Sequence, residues 1–201
     1  MSCQPLSRLT HLAKPTAERF MRIANMSYYL LDPNPQALQI LKQCLHFDPD
    51  SKPCRIAHRN LKVLEKDFTK LDQLEHSSSW ASLIRLLAGT QDSEGFAAKF
   101  DKELDEATSP LTLKLPQIII PRKRSPRRLR IYSSICRAHV KSNQLAKGEK
   151  WCEEVLKIDD RNLDGLIARG ETKLKAEEWE DAVRAFEAAF EASGRNDHEV
   201  F

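Results

Sequence analysis

The sequence predicts an all-α fold assembled from antiparallel helix pairs. Apolar residues recur at the 3.6-residue spacing of a helix through most of the chain, with good helix formers between them. Only six of the 201 residues are glycine, whereas sheet-rich chains need glycine for their tight turns. A composition of 41% hydrophobic and 30% charged residues fits one or two domains with an ordinary core.

The C-terminal part of the sequence repeats with a fixed period. Gly148 and Ala182 occupy equivalent positions in two successive helix pairs, and they lie 34 residues apart. This is the period of tetratricopeptide (TPR) repeats, so we predict a TPR helical-hairpin solenoid. The four predicted helices are Arg127–Lys141, Leu145–Ile158, Leu163–Lys175 and Glu178–Ala192.

Each repeat needs small residues where its helices approach closely and bulky residues that fill the groove towards the next pair. Candidate positions occur in three copies. The first copy contains Met21, Tyr28, Ala37, Leu41, Cys44 and Pro49, with Asp32–Pro35 as the turn between its helices. The later copies contain Tyr132, Cys136, Gly148 and Cys152, then Leu166, Gly170, Ala182, Phe186 and Ala189.

The middle of the chain is less regular. Residues 1–89 are predicted to hold helix pairs near 17–49 and 54–89, the second comprising Cys54–Leu74 and Trp80–Ala88. Residues 127–196 hold two further repeats. Residues 90–126 are predicted to be an irregular insertion, because four prolines exclude a continuous helix there, although Phe96–Ala107 has amphipathic spacing.

Four of the five cysteines fall at positions where neighbouring helices meet. Cys44 and Cys54 are ten residues apart, and Cys136 and Cys152 are sixteen apart. The spacing allows a disulfide in each pair, but it slightly favours small buried side chains. A metal site of Cys136, His139 and Cys152 lacks a fourth ligand and is the least favoured interpretation. Cys3 has no predicted partner.

No motif indicates catalysis, a bound metal or another cofactor, so we predict a protein that is not an enzyme. The strongest charge feature is the basic run of residues 122–130. It fits a nuclear-import or nucleic-acid patch, but a solvated loop leading into a helix is favoured, since no aromatic residue interrupts the run. No apolar stretch is long enough to span a membrane. The sequon Asn25-Met26-Ser27 falls within a predicted helix.

Two segments, residues 37–54 and 135–156, resemble TPR and J-domain co-chaperones of the endoplasmic reticulum lumen, of the DnaJ subfamily C member 3 type. The resemblance covers about residues 17–89 and 126–200. It implies disulfides Cys44–Cys54 and Cys136–Cys152 and a lumenal location. The implied partners are unfolded or misfolded client proteins and, through a J domain, the Hsp70 of that compartment, with no nucleic acid or membrane.

The J-domain tripeptide His-Pro-Asp does not occur in the 201 residues, and no signal peptide is visible. We therefore expect either a fragment or a natural short form. The alternative is a cytosolic or nuclear TPR scaffold that binds a peptide segment of a partner. Peptide clamps of that class require Lys and Asn at first-helix positions. The corresponding residues here do not form a clamp: Arg22, Ile23 and Met26; Ser133, Ser134 and Arg137; Ile167, Ala168 and Glu171.

Overall fold

The computed structural model describes residues 16–31, 36–90, 92–109 and 119–194, and these residues form two compact units. The first unit lies within Met1–Lys70 and Phe100–Arg127, and the second within Leu71–Lys99 and Arg128–Phe201. The all-α prediction is confirmed. The helices are α1 (Ala17–Asn25), α2 (Gln36–Phe47), α3 (Lys52–His76), α4 (Trp80–Ala88), α5 (Phe96–Ala107), α6 (Pro121–Arg124), α7 (Pro126–Lys141), α8 (Leu145–Ile158), α9 (Leu163–Lys175) and α10 (Trp179–Ala192).

In the first unit, α1 packs against α2 around a small apolar cluster of Phe20, Cys44 and Cys54. Thr16 caps α1, since its hydroxyl accepts a hydrogen bond from the backbone N–H of Arg19 at 3.4 Å. After Asn25 the helix widens into a π-helical segment, Met26–Leu30. The predicted turn at Asp32–Pro35 lies outside the described residues.

The second predicted helix pair is present with longer bounds. Helix α3 runs from Lys52 to His76, two residues beyond the prediction at each end. Pro53 does not stop it, because a proline in the first turn removes only an N–H that has no partner within the helix. After α4, Gly89 has a φ of +83° and begins a short hairpin. Its two strands, β1 (Gly89–Thr90) and β2 (Ser93–Glu94), have two residues each and pair antiparallel.

The turns between paired helices show the 34-residue period in the backbone itself. Asn143 and Glu177 have φ values of 55° and 60°, the left-handed conformation that ends many helices. The next residue in each turn donates its N–H to the last turn of the preceding helix, Gln144 to His139 and Glu178 to Lys173. Both hydrogen-bonded pairs repeat at the same interval of 34 residues, so the two hairpins are copies of one motif.

Helix α5 lies within the predicted insertion and has the bounds, Phe96–Ala107, that the amphipathic spacing indicated. Phe100 is fully buried, and its ring lies 5.6 Å from Tyr29 and 5.9 Å from Phe68, measured between centroids. The prolines do not interrupt this helix, because Pro121 and Pro126 stand at the starts of α6 and α7. Part of the predicted insertion is therefore core, while the predicted boundaries of the repeats stay a prediction.

Candidate protein-binding surface

The predicted signature residues fall mainly at helix contacts within each unit. Ala37, Leu41 and Tyr28 are buried in the first unit, while Met21 is half-buried and Pro49 exposed. In the second unit Tyr132, Leu166, Ala182 and Ala189 are buried. These positions fit helix packing, but their role as a repeat signature stays a prediction.

Two glycines mark the closest approach of paired helices. A Cβ atom on Gly148 would lie 2.5 Å from the Cβ of His139 on α7, and one on Gly170 would lie 2.7 Å from the ring of the half-buried Phe186 on α10. A larger residue at either position would press on the side chain that packs there, so glycine allows these contacts. The two glycines are not equivalent, because Gly148 lies on the second helix of its hairpin and Gly170 on the first helix of the next.

The structure brings the four predicted cysteines together in two pairs, one in each unit. The Cα atoms of Cys44 and Cys54 are 6.3 Å apart and join α2 to α3. Those of Cys136 and Cys152 are 4.9 Å apart and join α7 to α8. Both separations lie in the range that disulfides require. Cys3 lies outside the described residues.

Within the described part of the chain, no group of three or more His, Cys, Asp or Glu side chains is placed to hold a metal ion. The grouping of Cys136, His139 and Cys152 considered from the sequence therefore does not form a ligand set. A search of the same residues finds no helix with the length and apolar character needed to cross a membrane.

The basic run is only partly the solvated segment that the sequence favoured, because two of its six basic residues are buried. Arg127 is buried, and its guanidinium lies 4.0 Å from the ring centroid of Tyr28 and 5.0 Å from that of Phe68. Its Nη1 atom is 2.7 Å from a carboxylate oxygen of Glu65. Burial raises the pKa of Tyr28 above its usual range, while Arg127 opposes the rise. Arg127 is thus a core cation of the first unit.

Most of the other basic side chains of the run also contact aromatic rings or carboxylates. Arg128 is buried with its guanidinium 4.0 Å from the ring centroid of Tyr132. Arg122 contacts two aspartates, at 2.6 Å from Asp105 and 3.6 Å from Asp101, and Arg130 pairs with Asp72. The exposed residues Lys123 and Arg124 form no such contact among the described residues. Two cations of the run are therefore buried in the fold, and two of its four exposed cations pair with carboxylates.

We expect Arg127→Ala to lower the free energy of unfolding by about 2–3 kcal/mol, because it removes two cation–π contacts and leaves Glu65 without its partner. Arg124→Ala, three residues earlier and exposed, is the matched control and should change stability by less than about 0.5 kcal/mol. Urea unfolding followed by circular dichroism measures both. Equal effects of the two substitutions would contradict the buried role of Arg127.

The first-helix positions that a peptide clamp would use are occupied by internal contacts in α7. The hydroxyl group of Ser134 donates a hydrogen bond to a carboxylate oxygen of Glu75 at 2.6 Å. Arg137 forms a bidentate pair with Asp164, both contacts at 2.8 Å, and lies 3.5 Å from Glu75. Side chains held in this way are not free to bind the carboxylate of a partner's tail. This agrees with the sequence, which lacks the Lys and Asn residues of a peptide clamp at these positions.

The second unit presents two features that could receive a partner. One is a groove of about 190 Å³ among α7, α8 and α9, lined by apolar residues such as Leu145, Leu156 and Ala168 and edged by charged ones. The other is an exposed apolar stripe on α10, where Trp179 and Val183 are 60% and 55% exposed. These two residues are one helical turn apart and therefore share a face.

His139 forms part of the groove and is the polar feature that the sequence did not assign to binding. Its side chain is buried, and its Nδ1 atom has no hydrogen-bond partner among the described residues. Burial lowers the pKa of His139, and the nearby Lys147 and Lys150 lower it further, which favours the neutral imidazole. Because the Nδ1 atom is itself buried, it is a polar atom enclosed at the contact between α7 and α8 and not a group that a bound chain reaches directly.

Comparison with curated proteins identifies the relatives of this chain. It is 40% identical over 195 residues to the "Tetratricopeptide repeat and J domain-containing co-chaperone DNJ1" of Cryptococcus neoformans var. grubii. The alignment covers 95% of this chain and 37% of that protein. The homologues of this chain are TPR and J-domain co-chaperones. Chicken "DnaJ homolog subfamily C member 3" is 22% identical over 195 residues, covering 97% of this chain and 33% of that protein.

Among solved structures, the TPR domain of P58(IPK) matches 98% of this chain and 47% of that chain, with a TM-score of 0.64 and 21% identity. This match supports the TPR fold. No family model matches the chain. The chain spans about a third of the length of the curated relatives that it matches, and it is a TPR co-chaperone-like protein.

Proposed function

We propose that this chain is a non-enzymatic TPR module of an Hsp70 co-chaperone in the endoplasmic reticulum lumen. The module helps to hold unfolded client proteins and to position a J domain, which is absent from these 201 residues. The observation that carries the proposal is the 40% identity to a TPR and J-domain co-chaperone across nearly the whole chain. The two cysteine pairs support an oxidising compartment, where disulfides form and persist.

The groove and the apolar stripe of the second unit are suited to holding unfolded chains. Exposed apolar side chains gain free energy when they cover apolar segments that a client has not yet buried. Trp179 is the largest exposed apolar residue of the stripe, and its flat ring can contact many different side chains. Such a surface selects clients by exposed apolar area and not by one sequence, which is the selectivity that a holding activity needs.

We expect the purified chain to slow the aggregation of a chemically denatured client, followed by light scattering after dilution from guanidinium. Trp179→Ser/Val183→Ser should weaken this protection roughly threefold or more, since it removes most of the exposed apolar area of α10. Glu180→Ser/Glu187→Ser is the matched control, because it changes two exposed polar positions of the same helix. Its protection should equal that of the unsubstituted chain.

Two results would count against the proposal. If the unsubstituted chain gives no protection at a several-fold molar excess, client holding does not belong to this part of the protein. If both double variants lose protection equally, the loss reflects a general change in α10 and not the apolar stripe. Secondary structure measured by circular dichroism should be the same for all three proteins, because the four positions are exposed.

A further inference from the structure

A basic surface in the first unit has no role in the packing described above. We define the basic patch as Lys42 of α2 with Arg55, Arg59 and Lys62 of α3, all of them exposed. No Asp or Glu occurs between Asp50 and Glu65 in the sequence, and α2 contains none either. The segment that opens α3 is therefore positively charged without internal compensation.

The helical geometry places these cations on one face. Residues 55, 59 and 62 follow one another at intervals of four and three, which puts them side by side along the helix. Lys66 continues the row, so the row extends about 16 Å from Arg55 at a rise of 1.5 Å per residue. A segment of about five residues in an extended conformation spans this distance.

Among the residues that the structure describes, the four cations lack anionic partners. Lys42, Arg59 and Lys62 form no ion pair among the described residues. The guanidinium of Arg55 donates a hydrogen bond to the backbone oxygen of Pro49 at 2.8 Å. The half-buried His58 lies among them, where burial lowers its pKa and Lys62 and Lys42 lower it further. Lysines from two helices thus act on the same imidazole, so the positive potential is shared across α2 and α3.

Two apolar side chains border the cations. Ile56 and Val63 are 52% and 53% exposed and lie at the edge of the basic row on α3. Arg55, Ile56, Arg59 and Lys62 also line a shallow hollow on the helix surface. Cations flanked by accessible apolar groups match a partner that carries both carboxylates and a few apolar side chains.

We propose that the basic patch binds an acidic segment of a partner polypeptide, whose apolar side chains contact Ile56 and Val63. An anionic membrane surface fits less well, because the continuous apolar face of α3, which includes Leu61, Leu64 and Phe68, is buried in the fold. Single-stranded nucleic acid also fits less well, since α3 presents no exposed Phe, Tyr or Trp ring on which bases could stack. This inference does not depend on the client-holding role.

The test uses a fluorescein-labelled peptide of twelve residues with six Asp or Glu and two Leu, and a matched peptide with Gln and Asn in place of the acids. Fluorescence anisotropy with the full 201-residue chain at 50 mM salt should show binding at least about tenfold tighter for the acidic peptide. Arg59→Glu/Lys62→Glu should weaken that binding about tenfold or more, and Arg59→Gln/Lys62→Gln should weaken it by a smaller factor.

The control variant is Lys123→Glu/Arg124→Glu, which makes the same change in net charge at exposed residues of the same unit. It should bind the acidic peptide within about twofold of the unsubstituted chain. The proposal fails if the neutral peptide binds as well as the acidic one, or if the control variant loses as much affinity as the patch variant. It also fails if a short single-stranded RNA or a phosphatidylserine vesicle binds through Arg59 and Lys62 more tightly than the peptide.

Discussion

Phe100→Ala should destabilise the first unit by about 3–5 kcal/mol, because it removes a fully buried aromatic ring and leaves a cavity beside Tyr29 and Phe68. Neither neighbouring ring can fill the space without leaving its own contacts, since both are packed on their other sides by further side chains. Urea unfolding monitored by circular dichroism gives the change in free energy.

Lys102→Ala is the matched control for this experiment, as Lys102 lies on the same helix and is exposed. It should alter stability by less than about 0.5 kcal/mol, because alanine is the best helix former and no contact is lost. A loss below about 1 kcal/mol for Phe100→Ala would instead match the looser insertion that the sequence predicted.

The sequence predicted the regular helix pairs well because their information is local. The bounds of α8 and α9 agree with the prediction at both ends, and α10 begins one residue later. In these segments the apolar period, the polar turn and the small residue at the helix contact all indicate the same structure. The π-helical segment Met26–Leu30 could not be predicted, since its widened turn has no distinctive composition.

The burial of Arg127 and Arg128 within the basic run could not be predicted, for a non-local reason. Whether an arginine is solvated or buried depends on its partners, and Tyr28 and Phe68 are distant in sequence from Arg127. No pattern within residues 122–130 contains that information. The contribution of helix α5 to the core was not predicted, because the interpretation of this span relied on the surrounding prolines. The helical spacing of Phe96, Phe100 and Leu104 indicated a helix, and all three residues are buried.

The candidate binding residues were partly accessible from the sequence. The absence of Asp and Glu from residues 51–64 is visible in the printed chain and could have identified the basic patch. His139 was considered only as a metal ligand, because a buried ring nitrogen without a partner is visible only once its surroundings are known. The cysteine partners came from the resemblance to a family, since spacing alone left a bridge and a buried thiol both possible.

Replacing a cysteine pair by serine should remove about 3 kcal/mol of stability for Cys136–Cys152 and slightly less for Cys44–Cys54. The two proposed bridges would close loops with sequence separations of 16 and 10 residues, and the entropy lost by the unfolded chain grows with the logarithm of loop length. Urea unfolding of Cys136→Ser/Cys152→Ser and of Cys44→Ser/Cys54→Ser, each compared with the unsubstituted chain, gives the two losses.

Adding a reductant to the unsubstituted chain should reproduce the part of both losses that is due to the covalent links, whereas it should leave a variant that lacks all four cysteines unchanged. This internal comparison separates the covalent link from the packing of the sulfur atoms, which serine also perturbs. Cys3→Ser serves as the control and should not alter stability. Peptide mapping without reduction, after expression in an oxidising compartment, should find both links and a free Cys3. Five free thiols, or Cys3 linked to any of the other four, would overturn both the pairing and the lumenal location proposed from it.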